Sequence, residues 1–286
     1  MANTRDIRRR IRSVQSTMQL TKAMKMVSAA RLRRSQLAMM SARPYATQVA
    51  RVLRSLAARA NPLAHPLLAE REQRRVEVVV LAGDRGLCGS FNSNITRRAV
   101  QVLAEEEAAG RQVALQCVGR KARDFFRRRR PIRIEHVDFF RRFGYSDAAD
   151  VARGIMARFA GEEIDSAVLV YNEFKSAIQQ RIVVERLLPV PREAVEAGES
   201  GEDYIYEPNA RELLDDLLPR YVEWQAYRAC LESAAAEHAA RMNAMESATR
   251  NSQEMIDQLT LYLNRVRQAG ITREIIEVIG GAEGLG

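Results

Sequence analysis

Several residue types are scarce in this 286-residue chain, and each shortage excludes something. Aromatic residues make up only 6% of it, with a single tryptophan, which disfavours an aromatic-rich β core and favours helices packed through Ala, Leu, Ile and Met. The three cysteines, Cys88, Cys117 and Cys230, are odd in number and lack metal-ligand or disulfide spacing. They suit a reducing compartment and specify neither a metal centre nor a disulfide framework. No glycine precedes Gly83, so the first part of the chain lacks the usual punctuation. No apolar run nears the ~18 residues that cross a bilayer. The longest such stretch lies around Val76–Ala82, and a soluble or membrane-peripheral protein is expected.

Acidic residues are nearly missing from the first sixty positions. There Asp6 alone stands against fourteen Lys and Arg, a local charge of +13 in a chain of +9, so the remainder carries −4. A segment so basic suits an acidic partner: phosphate, acidic lipid or acidic protein. The start, MANTRDIRRRIRS, is Arg-rich like a transit peptide but has no apolar core of a secretory signal. Its Ile7, Ile11, Val14, Met18 spacing passes without a break into the next helical turns, and we read it as mature helix.

Residues 3–59 read as one long helix, capped by Asn3 and Asp6, with the apolar stripe shifting after Met18 to Leu20, Met24 and Val27. Pro44 is expected to kink or end it. Residues 60–75, with Asn61, Pro62 and Pro66, read as a linker. Strands are expected at 76–84, 113–118, 132–136, 166–174 and 178–187, alternating with helices at 92–109, 120–128 and 147–160. That alternation predicts a small α/β sandwich over 76–206, with an acidic surface loop at 192–203. A second long helix spans 209–279, opened by Asn209 and Glu212, bent at Pro219 and ended by Gly280, Gly281 and Gly284. From Leu231 its inward positions are 235, 238, 242, 245, 249, 252, 256, 259, 263 and 266, a heptad seam.

Two terminal helices, roughly 85 and 105 Å long, can pair antiparallel, the second overhanging by roughly 20 Å. The predicted fold is therefore an antiparallel two-helix coiled coil formed by the N- and C-terminal helices, plus a small α/β, Rossmann-like sandwich. The boundaries are 1–59, 60–75, 76–206 and 207–286. The seam holds polar residues, Thr21, Lys25 and Ser28 against His238, Thr249 and Ser252, so the pair should be marginal alone.

The sharper motifs have plainer readings beside them. GDRGLCGS at 83–90 follows a strand and opens a helix, where phosphates often bind. Its glycines at 83, 86 and 89 fit neither G-x-G-x-x-G nor a G-K-[ST] loop, and a tight packing turn is the better reading. The basic face of residues 5–34 is compatible with nucleic acid, although no aromatic interleaving accompanies it. His65, His136 and His238 sit in unlike elements and suggest packing more than ligation. The Met18, Met24, Met26, Met242 and Met245 stripe is ordinary filling for an irregular interface. The Arg127–Arg130 run reads as a solvated face. At this level a basic coiled-coil scaffold remains open, and so does an α/β enzyme, though no acid–base pair or nucleophile constellation is visible.

RIRSVQSTMQLTKAMKMVSAARLRRSQ at 10–36, RPYA at 43–46, DRGLCGSFN at 84–92, DYIYEP at 203–208, AARMNAMESATRN at 239–251 and RQAGITREIIEVIGGA at 267–282 together resemble the F-type ATP synthase gamma subunit. The likeness runs the full length with order preserved. It implies a rotor shaft turning inside a ring of three alpha and three beta subunits, one copy per complex. It also implies contact with the epsilon subunit and the membrane c-ring, at the cytoplasmic face of a bacterial plasma membrane. No catalytic residue, cofactor, metal, nucleic acid or directly bound nucleotide is implied.

By the same resemblance Met24 faces an acidic beta-subunit loop, with Lys22, Lys25, Arg31, Arg33 and Arg34 supplying positive charge nearby. Arg267, Gln268 and Thr272 engage loops of the ring, and Arg241 belongs to the same coupling region. Tyr204, Tyr206 and Glu207 rest on the membrane ring. Ile271, Ile275, Ile276, Val278 and Ile279 run in an apolar bearing. The α/β part has no cysteine-bearing insertion, so the thiol switch of chloroplast forms is not expected.

Overall fold

The computed structural model describes residues 4–57, 65–191 and 210–283. Its glycine-free start forms α1 (Thr4–Ala57) and its last part α5 (Ala210–Glu283). Both helices run through a proline, Pro44 and Pro219, so Pro44 does not end α1. Proline removes one backbone donor and crowds the preceding turn, a cost that a long helix with a packed face absorbs. Gly280 and Gly281 likewise stay helical instead of ending α5. Each weakens the helix by about 1 kcal/mol against alanine, but neither forbids its geometry. The caps expected at Asn3 and Asn209, Gly284 and the acidic stretch 192–203 lie outside the described residues.

Contacts group the described chain into two compact units, residues 4–28 with 242–283, and residues 29–241. In the first, α1 and α5 lie antiparallel: Thr21 meets Thr249 and Lys25 meets Glu246, so the partner's number falls as α1 advances. Non-exposed residues on α1 recur at 4, 7, 11, 14, 18, 21, 25 and 28, and on α5 at 245, 249, 252, 256, 259, 263 and 266. Alternating steps of three and four are the heptad pattern that keeps one stripe facing its partner. Of the expected shift of the α1 stripe, only Met24 is kept half-buried. Leu20 and Val27 are 61% and 53% exposed, and the register continues through Thr21, Lys25 and Ser28 although these are polar.

The second unit holds a five-stranded sheet of order β3-β2-β1-β4-β5. Its strands are β1 (Arg75–Leu81), β2 (Gln112–Val118), β3 (Ile134–His136), β4 (Ser166–Phe174) and β5 (Gln180–Leu188). The first four run parallel, and β5 closes one edge antiparallel to β4. Parallel strands need crossover helices on the faces and are buried on both sides, which is why β1 reads as an almost unbroken apolar run. Val76, Val78 and Val80 pack with Ile95, Ala99 and Leu103 of α2 (Phe91–Ala108) and with Phe126 of α3 (Arg120–Phe126).

Val79 and Leu81 point the other way, to Ile155 and Phe159 of α4 (Tyr145–Ala160) and to Leu214, Leu218 and Val222 of α5. Val49 and Leu53 of α1 join that layer. So do Leu67 and Leu68 from a 3₁₀ turn inside the expected linker, two buried residues that anchor an otherwise partly exposed segment. The one charge in the middle of β1, Glu77, is fully buried and takes two hydrogen bonds from Arg158 of α4, at 2.8 and 2.9 Å.

Candidate partner-binding surfaces

The polar seam of the first unit satisfies itself. Thr21 Oγ1 and Thr249 Oγ1 stand 2.8 Å apart, and each also lies within reach of its own helix, at Met18 O (3.0 Å) and Met245 O (2.7 Å). A hydroxyl has one proton, so one threonine donates across the seam while the other donates back to its helix. Ser28 and Ser252 donate to Met24 O and Ala248 O. Lys25 Nζ reaches Glu246 at 2.7 Å and, by that hydrogen bond and its charge, holds the Glu246 carboxyl below its ordinary range.

Of the α1 residues singled out in the sequence, Lys25 is therefore partly engaged and Met24 half-buried. Lys22 is exposed, and Arg31, Arg33 and Arg34 of the second unit are exposed as well. None of these four forms an ion pair with a carboxylate among the described residues. An exposed cation without a paired counter-charge raises the local potential and favours an acidic surface.

The far end of α5 is barer. The Thr21–Thr249 pairing, extended to Thr4, ends opposite residue 266, and 267–283 continue for roughly 25 Å with no α1 beside them. Arg267, Gln268 and Thr272 are exposed there, and Thr272 Oγ1 donates to Gln268 O at 3.0 Å. Ile271, Ile275, Ile276, Val278 and Ile279 are between 49% and 72% exposed. Scattered surface isoleucines are unremarkable, but five branched apolar residues within nine positions of one helix make a patch of the kind that marks an interaction site.

Arg241 behaves differently from the other predicted positions. It is 7% exposed, binds Glu237 Oε1 at 2.5 Å one turn earlier on α5, and donates to the carbonyls of Arg85 and Gly86 at 3.2–3.4 Å. Those carbonyls belong to the 83–90 turn, which is held from several sides. Asn92 accepts from Gly83 N at 2.9 Å and donates to Arg85 O at 3.1 Å. Asp84 accepts from the backbone N–H groups of Arg120, Asp138 and Phe140 at 2.8–2.9 Å. The turn passes through left-handed backbone at Leu87 and Gly89, with φ of 61° and 58°.

Gly83 sits so close to Glu237 that an added Cβ would lie 2.8 Å from its carboxylate carbon. The turn thus offers carbonyls to a guanidinium, an acceptor surface quite unlike a phosphate-cradling row of N–H groups. Sequence reasoning found Arg241 and the turn but not Glu237, Asp84 or Asn92. The i, i+4 spacing of Glu237 and Arg241 on a helix was the available signal.

Next to this node His238 is largely buried with Nδ1 unpartnered, and burial, then Arg241 and Arg31, pushes it down to about 4. Among the described residues no three His, Cys, Asp or Glu side chains gather as a metal-binding group. All three cysteines are buried, and Cys117 is pushed up to about 12 mainly by that burial. No described helix is long and apolar enough to cross a membrane. Tyr204, Tyr206 and Glu207 lie outside the described residues.

Comparison with known proteins adds a family to this geometry. The sequence model described as ATP synthase matches residues 3–285. The ATP synthase gamma chain of Anaeromyxobacter sp. (strain K) is 51% identical over 289 residues, covering 100% of both chains. That of Geobacter sp. (strain M21) is 45% identical over 285 residues, covering 100% of this chain and 99% of the relative. Among solved structures, a chain of the central stalk and c-ring of Tetrahymena thermophila mitochondrial ATP synthase is 27% identical, with a TM-score of 0.62. It covers 80% of this chain and 99% of its own length. A chain of the OSCP/F1/c-ring assembly of Euglena gracilis mitochondrial ATP synthase, in rotational state 3, shares the fold. Its TM-score is 0.68 at 21% identity, covering 99% of this chain and 94% of that one.

Proposed function

The chain belongs to the ATP synthase family, as one of its gamma chains, and from that premise we propose that it is the turning shaft coupling ion flow to nucleotide chemistry. The observation that carries the reading is the antiparallel helix pair in which α5 continues past the last α1 partner with its isoleucines exposed. A bare apolar helix end in water is unfavourable at about 25 cal/mol per Å2 of exposed surface, which a surrounding sleeve would remove.

In this reading one copy of the chain stands inside a ring of alpha and beta subunits, binds the epsilon subunit, and rests on a membrane c-ring at the cytoplasmic face of a bacterial plasma membrane. ATP is made and hydrolysed in the beta subunits, and this chain supplies no catalytic group. Its part is a conformational bias: an asymmetric shaft favours different states of each beta subunit as it turns, and it shifts them only by its differential affinity for those states.

The exposed cations Lys22, Arg31, Arg33 and Arg34, with Lys25 and Met24 beside them, face acidic loops of the ring. Arg267, Gln268 and Thr272 engage it near the bearing formed by Ile275, Ile276 and Ile279. Arg241 acts from inside, by fixing the 83–90 turn against α5. Tyr204, Tyr206 and Glu207 contact the c-ring.

Met24→Lys tests the reading, since it adds a charge beside a partner loop without touching a fully buried position. The variant should assemble and hydrolyse ATP while pumping fewer ions per ATP in inverted membrane vesicles. Unchanged pumping per ATP would remove Met24 from the coupling surface. Failure of the wild-type chain to co-purify with alpha and beta subunits would remove the whole reading.

A further inference from the structure

The four consecutive arginines at 127–130 have no part in the reading above. Between Arg120 and Arg133 the chain carries eight Lys and Arg, with Asp124 as the one acid. Several of these cations are engaged: Arg120 with Asp138 at 2.6 Å, Arg123 with Asp124 at 2.9 Å, Arg130 with Glu107 at 2.8 Å, and Arg133 with Glu163. Arg129 lies over the Phe125 ring, 4.1 Å from its centroid. Lys121, Arg127 and Arg128 keep no carboxylate partner among the described residues.

Arg123, Arg127 and Arg130, with Pro131, Ile132 and Glu135, line an open cavity of about 350 Å3. That is the lower end of the volumes that small-ligand sites occupy. Its walls stand on a rigid base. Ala122 and Phe126 are buried, Arg127 N donates to Arg123 O at 2.9 Å, and Arg130 N donates to Phe126 O at 3.0 Å. Glu107 and Glu135, at 2.8 and 3.9 Å, fix the Arg130 and Arg123 side chains and leave Arg127 as the uncompensated charge. Arg127 thus points an unpaired charge at a cavity whose other two guanidinium groups are already held in place, and the planar fork of a guanidinium matches a pair of phosphate oxygens.

We propose that this cavity binds a phosphate-bearing anion, with Arg127 as its principal donor and Arg123 and Arg130 flanking it. The chemistry is shared by a soluble polyphosphate and by a phospholipid headgroup. The test uses the full-length chain. Calorimetric titration with inorganic pyrophosphate at low and moderate salt forms one arm, and co-sedimentation with phosphatidylglycerol vesicles, against phosphatidylcholine alone, forms the other. Arg127→Gln should weaken the binding at least about tenfold, and Arg141→Gln, an exposed cation on another element, should leave it unchanged.

Arg127 is exposed, so its replacement keeps the fold, which circular dichroism checks. Saturable pyrophosphate binding lost in Arg127→Gln identifies a soluble ligand, and vesicle binding alone, lost in the same variant, identifies a headgroup. Binding in neither arm overturns the proposal. So does an equal weakening by Arg127→Gln and Arg141→Gln, which would mean diffuse charge attraction without a site.

Discussion

His238 of α5 is largely buried, with Nδ1 unpartnered and the guanidinium groups of Arg241 and Arg31 nearby. Burial disfavours the imidazolium and the two arginines repel it, so the folded group titrates at about 4 against 6.5 for the free side chain. The sign depends on which state takes up the proton first. Above 6.5 both states are neutral and His238 has no effect on stability. As the pH falls below 6.5 the unfolded chain gains a proton that the folded chain refuses, and stability drops by about 1.4 kcal/mol per pH unit until about pH 4. From pH 7 to pH 5 the loss is about 2 kcal/mol, or about twentyfold in the folding equilibrium.

His238→Met removes the titration, fills the site with a flexible apolar side chain, and eliminates the unpartnered nitrogen. Urea unfolding of the full-length chain, followed by circular dichroism at pH 7 and pH 5 and fixed salt, reads the difference. The variant should be within about 1 kcal/mol of the parent at pH 7 and should lose about 2 kcal/mol less than the parent on going to pH 5. Parallel pH profiles for the two proteins would refute the argument, because the acid sensitivity would then belong to other groups.

Two further substitutions separate buried from exposed electrostatics. Arg158→Leu leaves Glu77, fully buried, without its cation and should cost about 3–5 kcal/mol in thermal unfolding, whereas Glu77→Leu combined with Arg158→Leu should recover most of it. A double variant as unstable as the single one would show that the loss is packing. Glu246→Gln removes a cross-seam pair whose side chains are 38% and 55% exposed, and should change stability by less than about 1 kcal/mol, less still in high salt. A larger, salt-insensitive loss would make the pair part of what holds the helices together.

The two units are held by different physics. The sheet unit buries valines, isoleucines, leucines and phenylalanines on both faces of β1, and the charge inside β1, Glu77, is matched by Arg158. The helix pair buries one stripe per helix and places threonine, serine and lysine on it, so its hydrogen bonds and ion pair replace contacts with water at little net gain. A seam of this kind gives register and modest cohesion. The rest of its stability is then left to whatever covers the exposed Leu20, Met26, Val27 and the isoleucines of α5.

The heptad from 245 to 266 was legible because a seven-residue repeat keeps its face whatever residues occupy it, and burial tracks that spacing even at Thr249 and Ser252; from 231 to 242 nearly every position is buried or half-buried and the repeat leaves no mark. The sheet was legible for a related reason: a β-branched run such as 76–81 buried on both faces has little alternative. Apolarity alone misled at Leu20 and Val27, since the stripe on α1 is set by register with α5 and not by the local density of hydrophobic residues. Leu67 and Leu68 were hidden by the prolines around them, which signal a loop without revealing what it covers. The inward course of Arg241 was hidden more deeply. Its acceptors include backbone carbonyls of residues 85 and 86, groups every residue carries, so no side-chain pattern could announce them. Only its neighbour Glu237, one helical turn away and on the same face, carried a readable trace of that burial.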